Sequence, residues 1–122
     1  QCINESQMIS ILTVLVKFRN VCAHGERLFT YRTADSIPDL PIHIKLKISK
    51  KGIQYINGKN DLFAVVIALK YILSDYWYKT FIKELKALID RYLKKHDSIS
   101  EQELYEKMGF PENWKKITRY RK

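Results

Sequence analysis

The ten residues from Ile9 to Phe18, "ISILTVLVKF", constrain this chain more than any other stretch. At about 100° of rotation per residue, Ile9, Ile11, Leu12, Val14, Leu15, Val16 and Phe18 cover more than one face of a helix. A helix that apolar is expected to sit centrally in a bundle, packed on several sides, rather than on a surface. The pattern predicts helix from about Ile3 to His24. The run is too short to span a bilayer and is closed by Lys17, as "LFAVVIAL" is closed by Lys70. With no signal peptide visible, no membrane partner is expected.

The rest of the chain is read as further helices of a single domain, residues 1–122, long enough to bury a real core. From Gly25 to about Asn57 regularity fades. "SIPDLP" is turn chemistry, and "IHIKLKI" alternates as a strand would, with Lys51-Gly52 as a turn into "IQYI". The expectation is an extended loop with at most a small hairpin. Asn60-Asp61 reads as an N-cap for a helix to about Leu73. A break at Ser74-Asp75 precedes a longer amphipathic helix to about Lys95, with Phe81, Leu85, Leu88, Ile89 and Tyr92 on one side. Ser100 and Glu103 form a capping-box pattern for a short helix stopped by Gly109. Pro111 opens a last turn bearing Trp114, one turn from Phe110. The fold class is mostly α, a helical bundle.

Charge narrows the partners. Twenty-two Lys and Arg against thirteen Asp and Glu leave a net +9, which favours polyanions. Between His43 and Lys59 stand Lys45, Lys47, Lys50, Lys51 and Lys59 with no acid among them. These lysines are the expected RNA-backbone contacts, non-specific and salt-sensitive, together with the basic tail "KKITRYRK". Two cysteines, Cys2 and Cys22, make no disulfide framework, and no Cys/His cluster suggests zinc. The expected setting is a reducing cytoplasm. No metal or other cofactor is expected.

The candidate site is "KFRNVCAHGERLF", Lys17 to Phe29. On a regular helix Asn20, His24 and Arg27 share one face at i, i+4 and i+7, while Arg19 stands roughly 140° from His24 on an adjacent face. An asparagine one turn before a histidine can orient its imidazole, and arginine is a permanent fork for phosphoryl oxygens. That set suits RNA cleavage by its own 2′-hydroxyl, which needs a proton acceptor, a proton donor and positive charge on the phosphorane. One histidine fills one proton role, so a single copy is incomplete and pairing two protomers would supply the second. Ordinary decoration of a helix end competes with this reading. "RYLKKH", Arg91 to His96, repeats the same R-x4-H spacing at the end of another helix, so spacing alone is weak. Cys22 reads as a small buried residue, His43 as structural or a loop contact, and the aromatics of "DYWYKTF" as core and dimer contacts.

The blocks "RNVCAHGERLFTYR", "IPDLPIH", "GKNDLFAVVIALKYIL" and "MGFPENW" occur in that order. Together they resemble the C-terminal half of the Abi family, bacterial abortive-infection proteins of the AbiD/AbiF type. That family is grouped with HEPN domains, helical bundles whose Arg-x4–6-His motif marks metal-independent ribonucleases. The resemblance implies an endoribonuclease of a phage-defence or toxin–antitoxin system, dimerising so that two motifs form one cleft. It assigns Arg19 to the phosphate, His24 to proton transfer and Asn20 to positioning His24, with Arg27 assisting. Products ending in 2′,3′-cyclic phosphate and 5′-hydroxyl are implied, and an antitoxin or guide-like RNA is a possible partner. Family members run to about twice this length, so the N-terminal helices of the bundle are expected to be absent. A non-catalytic RNA-binding module and a purely structural dimerisation domain stay open beside the enzyme.

Overall fold

The structure is a computed structural model that describes residues 3–23 and 30–120, with only the backbone of residues 22 and 23. It is mostly α-helical. Helix α1 spans Glu5–Ala23, α2 Pro41–Lys45, α3 Leu62–Ile72, α4 Asp75–Lys95 and α5 Glu101–Met108, and a 3₁₀ helix over Trp114–Arg119 closes the described chain. The strands β1 (Lys50–Lys51) and β2 (Gln54–Tyr55) form an antiparallel hairpin, Lys50 opposite Tyr55 and Lys51 opposite Gln54.

The helix starts follow side-chain chemistry. The Asn4 side chain accepts from the Gln7 amide at 2.8 Å, while the Gln7 side chain accepts from the Asn4 amide at 3.1 Å. Asp61 accepts from the Ala64 amide at 2.9 Å to open α3, Ser74 caps α4, and Ser100 with Glu103 completes the capping box of α5. At the other end of α5, Gly109 takes φ 78°. The Phe110 amide then reaches the Tyr105 carbonyl and the Gly109 amide the Glu106 carbonyl, a Schellman closure in which Phe110 stacks back on Tyr105.

The core runs through α1, α3 and the last third of the chain, with Ile11, Val14, Phe63, Ile67, Met108 and Trp114 fully buried. Two expectations need correction. The strand-like alternation of "IHIKLKI" is overridden: Pro41 starts a short helix in which Ile42, His43 and Leu46 are buried at helical spacing, and Ile48 is buried just beyond it. A small hairpin does turn at Gly52 into "IQYI", but its first strand is Lys50–Lys51 and not "IHIKLKI". Helix α1 is also less enclosed than its composition suggests. Ile11, Val14, Phe18 and Val21 are buried, whereas Ile9, Leu12 and Val16 stand about half exposed on one stripe.

Direct bonds join segments far apart in the chain. The Ile37 amide donates to the Lys59 carbonyl at 2.8 Å and the Asn60 side chain to the Thr33 carbonyl at 2.9 Å. Asn113 donates to the Leu46 carbonyl at 2.9 Å, and Arg32 to the Lys107 carbonyl at 3.1 Å. His43 is fully buried, accepting from the Leu40 amide through Nδ1 (3.0 Å) and donating to the Gly58 carbonyl through Nε2 (2.7 Å). It stacks on Tyr55 at 5.0 Å and so ties the hairpin to α2. Burial, with Lys59 nearby, holds its pKa below the ordinary histidine value.

Candidate functional site at the end of the first helix

Asn20 begins the last turn of α1 and Arg19 directly precedes it, and both are exposed. Consecutive helical residues point about 100° apart, so the two open onto different surfaces. Asn20 ends the stripe that runs down α1 through Ile9, Leu12 and Val16, and together with Thr13 and Lys17 these line a shallow depression. Lys17 is held by an ion pair to Asp35 at 2.6 Å, which raises its pKa chiefly through the hydrogen bond. That pair brings residues 30–40 back along α1, where Tyr31 packs edge-on against Phe18 at 5.2 Å.

Arg19 faces the other way, onto a concave groove of about 440 Å³ between α1, α3, α4 and α5. Its floor is Phe18, Val66, Ile89, Leu104 and Met108, all buried. The half-buried Leu15, Leu62, Val65, Phe81, Leu85 and Tyr92 form its walls, and Leu88 stands at the rim. Among the described residues Arg19 is the single charged one lining it, and no ion pair engages it. The sequence marks one side of this groove as the amphipathic stripe of α4. Of the five residues in that stripe only Ile89 is buried, and the cause is not legible from one helix: no described element covers the others.

His24 and Arg27 lie outside the described residues, as does the side chain of Cys22. The backbone on either side is placed, by Ala23 at the end of α1 and by Tyr31 against Phe18.

The lysines gather elsewhere. Lys50 and Lys51 lie exposed on β1, with Lys50 Nζ 4.7 Å from the Tyr55 ring centre. Lys47, at φ 55°, is exposed in the turn after α2, and Lys45 is exposed on α2 itself. Lys47 lines a wider, mixed groove beside α5 that also contains Glu101, Glu106, Glu112 and Lys116. The Lys59 ammonium sits 2.6 Å from Asp39. The same hydrogen bond holds the Asp39 carboxyl below its usual range. None of these lysines lines either concavity at the end of α1.

The second R-x4-H pair is surface: Arg91 is exposed, and His96 stacks on Tyr92 at 4.1 Å with Nδ1 bonded to the Tyr92 carbonyl. In "DYWYKTF", Tyr78 is core and bonds the Val66 carbonyl at 2.8 Å, whereas Tyr76 and Trp77 are exposed. Among the described residues no group of three or more His, Cys, Asp and Glu stands close enough to hold a metal ion, and no helix is long and apolar enough to cross a membrane. The architecture defines a small, basic, mostly α-helical protein in which the end of α1 adjoins a half-exposed apolar stripe. Compared with protein families, with curated proteins and with solved structures, the chain matches none.

Proposed function

We propose that the chain is a metal-independent endoribonuclease domain of a bacterial abortive-infection or toxin–antitoxin system, acting at a composite site between two copies. The reading rests on the resemblance of its ordered sequence blocks to Abi and HEPN proteins. The observation that supports it best is the placing of Asn20, exposed in the last turn of α1 shortly before His24 and at the end of the Ile9–Leu12–Val16 stripe, with the exposed Arg19 beside it on another face. Parallel self-pairing of α1 along that stripe would set two Asn20/His24 faces toward one another. Each Arg19 then flanks the shared cleft from an adjacent face. His24 moves the proton, Asn20 holds its ring, and Arg19 with Arg27 carries the phosphorane charge.

The test is RNA incubated with the protein in excess EDTA. Cleavage leaving 2′,3′-cyclic phosphate ends is expected, lost in His24→Ala and retained in His96→Ala. Full activity in His24→Ala, or loss of cleavage on chelation, would overturn the proposal. A second reading, a non-catalytic module that holds an antitoxin or guide-like RNA, is favoured by the exposed lysines of the hairpin, which are remote in sequence from the motif.

A further inference from the structure

The groove beside Arg19 has the form of a ligand site rather than of a helix-docking face. Two parallel helices make an open trough, whereas here four helices contribute to one concavity, with Leu104 and Met108 of α5 closing its base. Its volume, about 440 Å³, falls within the range of small-molecule pockets. Among the described residues its lining is hydrocarbon apart from the Arg19 guanidinium at the rim and the Tyr92 phenol. A ligand that fills it must be apolar over most of its length, because a buried polar group there would find no partner. A negative charge at one end would meet Arg19, which no described residue neutralises.

We infer that this groove binds an amphiphilic monoanion, a single acyl chain ending in a carboxylate. The groove is of small-molecule size, and a twelve-carbon fatty acid is a chain of that class. The aliphatic walls suit a flexible chain, which Leu, Val and Met side chains can follow. The carboxylate takes the fork of Arg19 at the mouth, in solvent contact, where a charged head is not desolvated. The inference does not depend on the RNA reading, since it concerns binding measured with no RNA present.

The probe is laurate, titrated calorimetrically below its aggregation threshold, with dodecyltrimethylammonium as the same chain carrying the opposite charge. Saturable binding of one laurate per chain is expected, with the cation at least several-fold weaker. Decanoate, two methylenes shorter, should bind about tenfold more weakly. Arg19→Ala should remove the preference for the anion, and Leu88→Glu, at the exposed rim, should abolish laurate binding while the circular dichroism stays unchanged. Lys79→Ala, which removes one exposed charge outside the groove, should leave laurate affinity within twofold of the parent. No saturable laurate binding, or equal affinity in the parent, Arg19→Ala and Leu88→Glu, overturns the assignment. So does a dimer that Leu88→Glu dissociates and laurate does not, since the groove then belongs to a second copy.

Discussion

Gly109 lies directly against the carboxylate of Asp61, so that a Cβ at Gly109 would overlap the side chain that caps α3. The end of one helix is thereby seated on the start of another. Asp61 is almost fully buried; it accepts from the Ala64 amide and from the Gly58 amide, and burial raises its pKa. Glycine at 109 satisfies two demands at once, a left-handed backbone and the absence of a side chain.

Gly109→Ala should therefore lower unfolding free energy by about 2–4 kcal/mol, combining left-handed strain with overpacking against Asp61. Gly52→Ala is the comparison. It has a similar φ of 66° but nothing within 4 Å of the added carbon, so about 1 kcal/mol is expected. Urea midpoints of the two variants measure the difference. Equal losses would show that the approach to Asp61 contributes nothing.

These relationships also explain what the sequence discloses and what it withholds. The caps at Asp61, Ser74 and Ser100 and the stop at Gly109 are local chemistry, legible because each bond spans three to five residues. The helix in "PIHIK" is not legible from alternation. It depends on the burial of Ile42 and His43 and on the distant Gly58 carbonyl. Three of the four sequence blocks behind the family resemblance meet in space, as Ile37 with Lys59, His43 with Gly58, and Asp61 with Gly109. Much of their pattern is thus scaffold. For the candidate site, helical geometry alone sets Arg19 and Asn20 on different faces, and the structure places them so. The apolar groove beside Arg19 is invisible in one dimension because it is a gap between four helices.

His43 should make stability fall as the solution is acidified. Its folded-state pKa is depressed, so near the ordinary value of about 6.5 the unfolded chain binds a proton that the folded chain does not. Stability is then complete above pH 6.5 and declines toward the depressed value, by at most about 1.4 kcal/mol per pH unit. Tyr55, Lys59 and Asp39 surround the ring. Asp61 works in the opposite sense, since its raised pKa lets the folded chain take a proton first as pH falls toward about 3.9. His43→Gln isolates the histidine contribution. The variant should be less stable at pH 7.5 by about 1–3 kcal/mol, the cost of unmade buried bonds, and should lose the decline between pH 7.5 and 5.5. An unchanged decline would assign it to other groups.

The lysines should divide by their ion pairing. Lys50→Glu with Lys51→Glu should weaken RNA binding and flatten its salt dependence, by about 0.7 in log–log slope for each phosphate of a single strand that is no longer neutralised. Lys59→Gln should change the slope little, because Asp39 already offsets that charge. Fluorescence anisotropy with a labelled RNA between 50 and 200 mM salt, a range over which such binding weakens by orders of magnitude, reads both. His24→Ala should bind as the parent does. If charge reversal on the hairpin leaves affinity intact, the hairpin does not touch RNA.

The stripe on α1 sets the last expectation. Val16 is 49% exposed and Leu12 47%, so Val16→Glu should alter stability by no more than about 1 kcal/mol. Three half-exposed side chains offer far less than the roughly 800 Å² per partner of a standard interface. The dimer they form is accordingly weak, and its concentration dependence is the useful quantity. Sedimentation of the parent across a broad concentration range should show reversible self-association, abolished by Val16→Glu. RNA cleavage should rise with more than the first power of protein concentration in the parent and disappear in the variant, although His24 is untouched. A parent that cuts RNA while sedimenting as a monomer would remove the composite site and leave His24 to act within one chain.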